Sequence, residues 1–196
     1  VTDCRELALY LEENGGKGEE ISSAEADRMR RLAEDELTAK RVRRRVYLRL
    51  LKHYYDFDNV KALDDCLENI SLDMFSADER AQILRYAVLR DRMDEAWEWL
   101  REYGPEAVEQ KTLMRLIDDR IEKEESGNEE LTQFAMYTFR RGKYDSRLVQ
   151  YLAEYAVGPI RELRDIYKAA VSFDLDVYRL SERIIDQMLF SGAFVG

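Results

Sequence analysis

Apolar side chains recur at three- and four-residue intervals along nearly the whole chain. That spacing lines one face of an α-helix; the strict alternation of a half-buried strand is not sustained anywhere. In "PIRELRDIYKAAV" the stripe is Ile160, Leu163, Ile166, Tyr167 and Ala170, and in "DVYRLSERIIDQML" it is Val177, Leu180, Ile184 and Met188, flanked by Ile185 and Leu189. Ser22 with Glu25, Ser76 with Glu79 and Ser126 with Glu129 fit the Ser-x-x-Glu capping box, in which two side chains satisfy the free N–H groups of a first helical turn. Stops are written as "NGGKG", Gly104-Pro105, "ESGN" and Gly158-Pro159. The pattern predicts helices near 3–13, 23–55 with a break near Thr38, 58–70, 77–91, 94–103, 106–123, 128–141, 145–156, 160–172 and 175–190, with a loop at 14–21. The predicted fold class is all-α.

A short phrase returns between several of these stripes: Phe57-Asp58, Met93-Asp94, Tyr144-Asp145 and Leu175-Asp176. At such a junction a bulky residue can plug the gap between two antiparallel helices while the Asp caps the second. The phrases resemble the inter-helix turn of tetratricopeptide-type repeats, roughly Gly-x-Tyr-Asp-x-Ala. "RRGKYDSRLVQYL" has Gly142, Tyr144 and Asp145 in the family's places, and "RDRMDEAWEWL" supplies Ala96 as the small residue. Arg147, Val60 and Tyr178 stand where the small residue would be in the other turns, and the intervals of 36, 51 and 31 residues depart from a repeat of about 34. The resemblance covers about residues 45–190 and implies antiparallel helix pairs stacked as a short, irregular α-α superhelix. Units of that kind bury their faces on their neighbours, which suits helices with wide apolar arcs such as 77–91. A compact helical bundle is the alternative. The expected organisation is one helical-repeat domain over 1–196 with a possible seam near 104–127, where the long interval holds an additional helix.

Composition adds little against this picture: 45% hydrophobic and 37% charged residues with only 2 Pro and 9 Gly suit a helical globular chain. Cys4 and Cys66 form no disulfide framework and no paired metal-ligand spacing, so a reducing, cytoplasmic setting is expected. No apolar run reaches the ~20 residues needed to cross a bilayer, and membrane insertion is not expected. The chain starts with Val and closes on "MLFSGAFVG", with Phe190, Phe194 and Val195 apolar; the expectation is a piece of a longer protein whose next segment covers that end.

Charge raises one candidate site. Lys40 to Lys52 holds seven basic and no acidic residues inside a chain of formal net charge −10. Around a helix, Val42, Val46, Tyr47, Leu48, Leu50, Leu51, Tyr54 and Tyr55 sweep about 240°, and Arg41, Arg45, Arg49 and Lys52 crowd the remaining gap. An arginine row can hold phosphates or carboxylates, and it can equally be a wet face offset by Glu34, Asp35 and Glu36. Without those seven the balance is 24 basic to 41 acidic residues, so the field of the chain opposes a polyanion. Nucleic acid is therefore an alternative partner, and Arg41, Arg45, Arg49 and Lys52 are the expected patch for a protein or peptide.

Enzymatic constellations are weak. Asp64, Asp65 and Glu68, and Asp118, Asp119 and Glu122, resemble the metal-binding acid clusters of helical isoprenyl enzymes, but a chain this acidic yields about two such triples by chance. His53 is the one histidine, which removes Ser-His and Cys-His catalysis within the chain, and no metal or cofactor is expected. Trp97 and Trp99 point about 200° apart on a helix, so one can enter the core while the other anchors a partner. The reading that results is a non-enzymatic protein-interaction scaffold of helical repeats, binding through Arg41, Arg45, Arg49, Lys52, Trp97 and Trp99.

Overall fold

Ten α-helices and one 3-10 turn make up the computed structural model, which describes residues 21–34, 40–123 and 127–190; no strand occurs among them. The helices are α1 (Ser23–Glu34), α2 (Lys40–Asp56), α3 (Val60–Glu68), α4 (Ala77–Leu89), α5 (Met93–Tyr103), α6 (Gln110–Lys123), α7 (Glu129–Arg140), α8 (Ser146–Tyr155), α9 (Ile160–Ser172) and α10 (Tyr178–Phe190), with the 3-10 turn at Leu72–Met74. The fold is all-α. The expected helix near 3–13, nearly all of the loop at 14–21, Cys4, Asp35, Glu36, the break near Thr38, the capping Ser126, Phe194 and Val195 lie outside the described residues.

Local chemistry explains the ends. Ser76 and Glu79 close a full capping box on α4, with the Ser76 N–H 2.8 Å from Glu79 Oε2. Asn59, Asn128 and Asp145 cap α3, α7 and α8. The four repeated phrases do not all work as expected. Asp145 accepts from Leu148 N at 2.9 Å and Asp176 from Tyr178 N at 2.9 Å. Asp58, however, is left-handed at φ 53 and leaves the cap to Asn59, while Asp94 lies inside the first turn of α5. The common element is instead a left-handed residue two positions past the end of the first helix: Asp58, Asp91, Gly142 and Asp174, with φ of 53, 61, 78 and 58. In the three Asp cases the next N–H returns to a carbonyl five residues back, Asn59 to Tyr54, Arg92 to Ala87 and Leu175 to Ala170, which is the Schellman closure. At Gly142 the Gln110 side chain does that work, donating to Thr138 O at 3.0 Å and Lys143 O at 2.6 Å.

By packing, the chain divides after Val108 into two units, Val1–Val108 and Glu109–Gly196. In the first, α2 is central, packing on α1, α3, α4 and the 3-10 turn. Its buried face is Val46, Tyr47, Leu50, Leu51 and Tyr54, and the Arg43 Nε donates to Ala33 O at 2.8 Å, satisfying a carbonyl at the end of α1. Arg90 and Arg92 reach from the α4–α5 turn to Asp64 on α3. In the second unit α8 is central, packing on α6, α7, α9 and α10. It buries Leu148, Val149, Tyr151, Leu152 and Ala153, a wide arc because neighbours grip it from several sides. The expected start of α6 at 106 is displaced to Gln110 by a Pro105–Val108 turn that follows the left-handed Gly104.

Candidate interaction site

Both α7 and α9 pack on α8; above it, between the two, a groove of about 530 Å³ stays open. Residues three and four apart share a helix face, and this brings Met136, Phe139 and Arg140 of α7 opposite Glu162, Asp165, Ala169 and Ser172 of α9. Small residues on the α9 wall leave the room. Tyr144 closes one end: its ring stacks on Phe139 with centroids 4.5 Å apart and meets Phe173 edge-on at 6.4 Å. At the other end Arg140 Nη2 bonds both oxygens of Glu162, at 2.7 and 2.8 Å, tying α7 to α9. Ser172 Oγ donates to Ala169 O at 2.6 Å, so the hydroxyl is engaged by its own helix. The arrangement is a groove with an aromatic wall of Phe139 and Tyr144 and a charged strap of Arg140 and Glu162.

The first unit carries a smaller hollow of about 40 Å³ against Leu84, Trp99, Tyr103 and Val108. There the Arg80 guanidinium lies 4.5 Å over the Tyr103 ring, and Tyr103 OH donates to Asp73 at 3.0 Å. Burial and that acceptor push the Tyr103 phenol up to about 12.

The residues singled out from sequence are not brought together in one place. Arg41 and Lys52 are exposed on α2, and Arg45 and Arg49 are half-buried. Within that basic run Arg43 donates to Ala33 O and Arg44 lies 3.2 Å from Glu79; Glu34 pairs with Arg30 of its own helix, at 3.0 Å. Trp97 is 5% exposed and belongs to the core, so of the two tryptophans Trp99 is the one whose ring reaches a surface hollow. The groove residues carried no signal of their own in sequence except Tyr144, marked by its turn; the Arg140–Glu162 strap joins positions 22 apart.

The acidic triples are dispersed into ion pairs. Asp64 meets Arg90 at 3.3 Å, Asp65 meets Arg30 at 3.4 Å, Asp119 meets Lys123 at 2.9 Å, and Glu122 pairs with Arg147. Among the described residues no three His, Cys, Asp or Glu are placed to hold a metal ion. Asp118 differs: its Oδ1 is buried with no hydrogen-bond partner, and burial, with the Asp145 carboxylate second, pushes its carboxyl up to about 6. His53 packs on Phe57 at 4.7 Å. Cys66 is buried, and desolvation raises its thiol to about 11, far from an activated nucleophile.

Comparison with known families bears on the whole chain. Residues 1–127 match the N-terminal part of a family of unknown function, DUF5717, and residues 128–196 match its C-terminal part. The chain belongs to the DUF5717 family. No curated protein and no solved structure matches it. The two DUF5717 parts meet between α6 and α7, whereas the packing units meet before α6. In this DUF5717 chain the last helix of the N-terminal part is thus packed with the helices of the C-terminal part, against α7 and α8. No helix among the described residues is long and apolar enough to cross a membrane.

Proposed function

We propose that this DUF5717 chain is a non-enzymatic protein-interaction scaffold of stacked, tetratricopeptide-like helix pairs, working in the cytoplasm, and that the α7–α9 groove is its recognition site. The open aromatic berth between α7 and α9 carries the reading. Pairs joined by a left-handed turn and sharing α8 as a common support hold two helix faces at a fixed distance, and a fixed cleft with an aromatic wall is what a peptide anchor needs. The groove's charges balance, with Arg140 and Lys168 against Glu162 and Asp165, so the ligand is selected by a bulky apolar residue and not by net charge. The basic run on α2 is not required by this reading, since Arg43 and Arg44 serve the first unit's own packing.

Selection of a random peptide library on the immobilised chain tests this. Enriched peptides should share a large apolar or aromatic anchor and lose at least about tenfold in affinity to Ser172→Arg, which fills the groove at the Tyr144 end, and to Tyr144→Ala. Peptides that bind these variants as well as the parent chain, with both variants folded by thermal melting, would refute the groove as the site.

A further inference from the structure

The outer side of α10 has the spacing of a helix seam. Tyr178, Glu182, Ile185 and Leu189 follow one another at intervals of four, three and four residues, which puts them within about 60° of one another around the helix. They lie opposite Leu180, the helix's buried residue, and the three apolar ones are 66%, 53% and 61% exposed. Alternating threes and fours are what two packed helices use to set knobs into each other's holes. An apolar strip about 16 Å long is more than scattered surface hydrophobics, and such faces mark contacts.

Charge decides what can cover it. Glu182 stands within the strip between Tyr178 and Ile185, and Asp186 follows one turn later on its edge, both exposed. A hydrogen bond to Glu182 pushes the Tyr178 phenol up, so the carboxylate lies on the same face as that ring. The cations of α10 are engaged elsewhere: Arg179 pairs with Glu154 of α8, and Arg183 donates to Ala153 O and Ala156 O at the end of α8. Arg164 of α9 rests on Met188, on the opposite flank of the strip from Asp186. A helix that covered the strip with apolar residues alone would take Glu182 out of water and leave it unpaired, a costly arrangement. The α10 strip of a second copy has the same defect, since it repeats the carboxylates and turns its own arginines to α8. A helix with a lysine or arginine in the middle of its apolar seam supplies the missing charge, and a single ionic position of that kind also fixes the register.

We infer that the outer face of α10 docks a basic amphipathic helix of another protein, with one cation of its seam against Glu182, a second against Asp186, and apolar side chains on Tyr178, Ile185 and Leu189. This contact goes beyond the groove reading and uses none of the groove's residues.

The probe is a synthetic helical peptide of about 18 residues, five turns, with leucine along its seam and lysine at the seam's centre and on both flanks. A counterpart carries glutamate in place of every lysine. In fluorescence anisotropy against the 196-residue chain, the basic peptide should bind at least about tenfold more tightly than the acidic one. Ile185→Asp should weaken it at least about tenfold. Glu182→Lys combined with Asp186→Lys should invert the preference. That variant stays net negative, so attraction to overall charge cannot produce the inversion. Tyr144→Ala, which should cost the groove its peptides, should leave this binding unchanged. The substituted α10 positions are exposed, and unchanged thermal melts will show that the variants fold. The inference is overturned by a basic peptide that does not bind, by binding indifferent to Ile185→Asp or lost on Tyr144→Ala, or by a charge-reversed variant that still prefers the basic peptide. A dimer of the chain in sedimentation equilibrium that Ile185→Asp abolishes would also overturn it, because a second copy then covers the face.

Discussion

At position 118 a carboxylate is half-buried beside a second carboxylate, Asp145, with one oxygen lacking a hydrogen bond. Its folded pKa of about 6 lies above the ordinary 3.8, so the folded chain holds the proton more tightly than the unfolded one. The group therefore costs nothing below about 3.8, costs progressively more as pH rises toward 6, and carries its full penalty above that. Asp118→Asn should stabilise the chain by about 1 kcal/mol at pH 8, after discounting for partial solvent screening. At pH 4 the gain should vanish. Denaturant unfolding at the two pH values checks this, and a gain that is equal at both, or a loss at pH 8, would refute it. No sequence pattern flags Asp118 over Asp119, because the difference is which side of α6 meets the start of α8. The same limit applies to Trp97 and Trp99: their 200° separation says one goes inside, and only packing says that it is Trp97.

Helix content was legible because each stripe repeats over ten or more residues, and most boundaries fall within two or three residues of the pattern. The turns were legible only in part. The repeated Asp was read as a cap, which holds at Asp145 and Asp176. What recurs in space is a left-handed residue, and Asp, one of the few side chains that tolerates that conformation, conceals it where Gly would announce it. Asp174, at φ 58 and exposed, gives a direct test. Asp174→Gly should raise stability by about 0.5–1 kcal/mol, and Asp174→Val should lower it by about 1–2 kcal/mol. Equal melting temperatures for the two would show that the α9–α10 turn does not depend on this backbone state. The groove was the least legible element of all: its walls come from two helices that never touch in sequence, and Ala169 and Ser172 matter by being small.

At the scale of the chain, the family division after residue 127 and the packing division after Val108 disagree about α6. Leu113, Leu116 and Ile117 of α6 are all fully buried, and the helix packs on α7 and α8. Each such side chain contributes about 1.5–3 kcal/mol by leaving water, so the three together rival the whole stability of a small domain, about 5–15 kcal/mol. Gln110 adds the bonds that close the α7–α8 turn at Thr138 and Lys143. A fragment of residues 109–196 should therefore melt cooperatively with strong helical circular dichroism. A fragment of residues 128–196, although it matches the C-terminal family part in full, should lose that cooperativity, because α8 is then stripped on the side that α6 covers. If the shorter fragment melts as sharply and at the same temperature, α6 is a passenger on this unit and the division at 127 is the physical one.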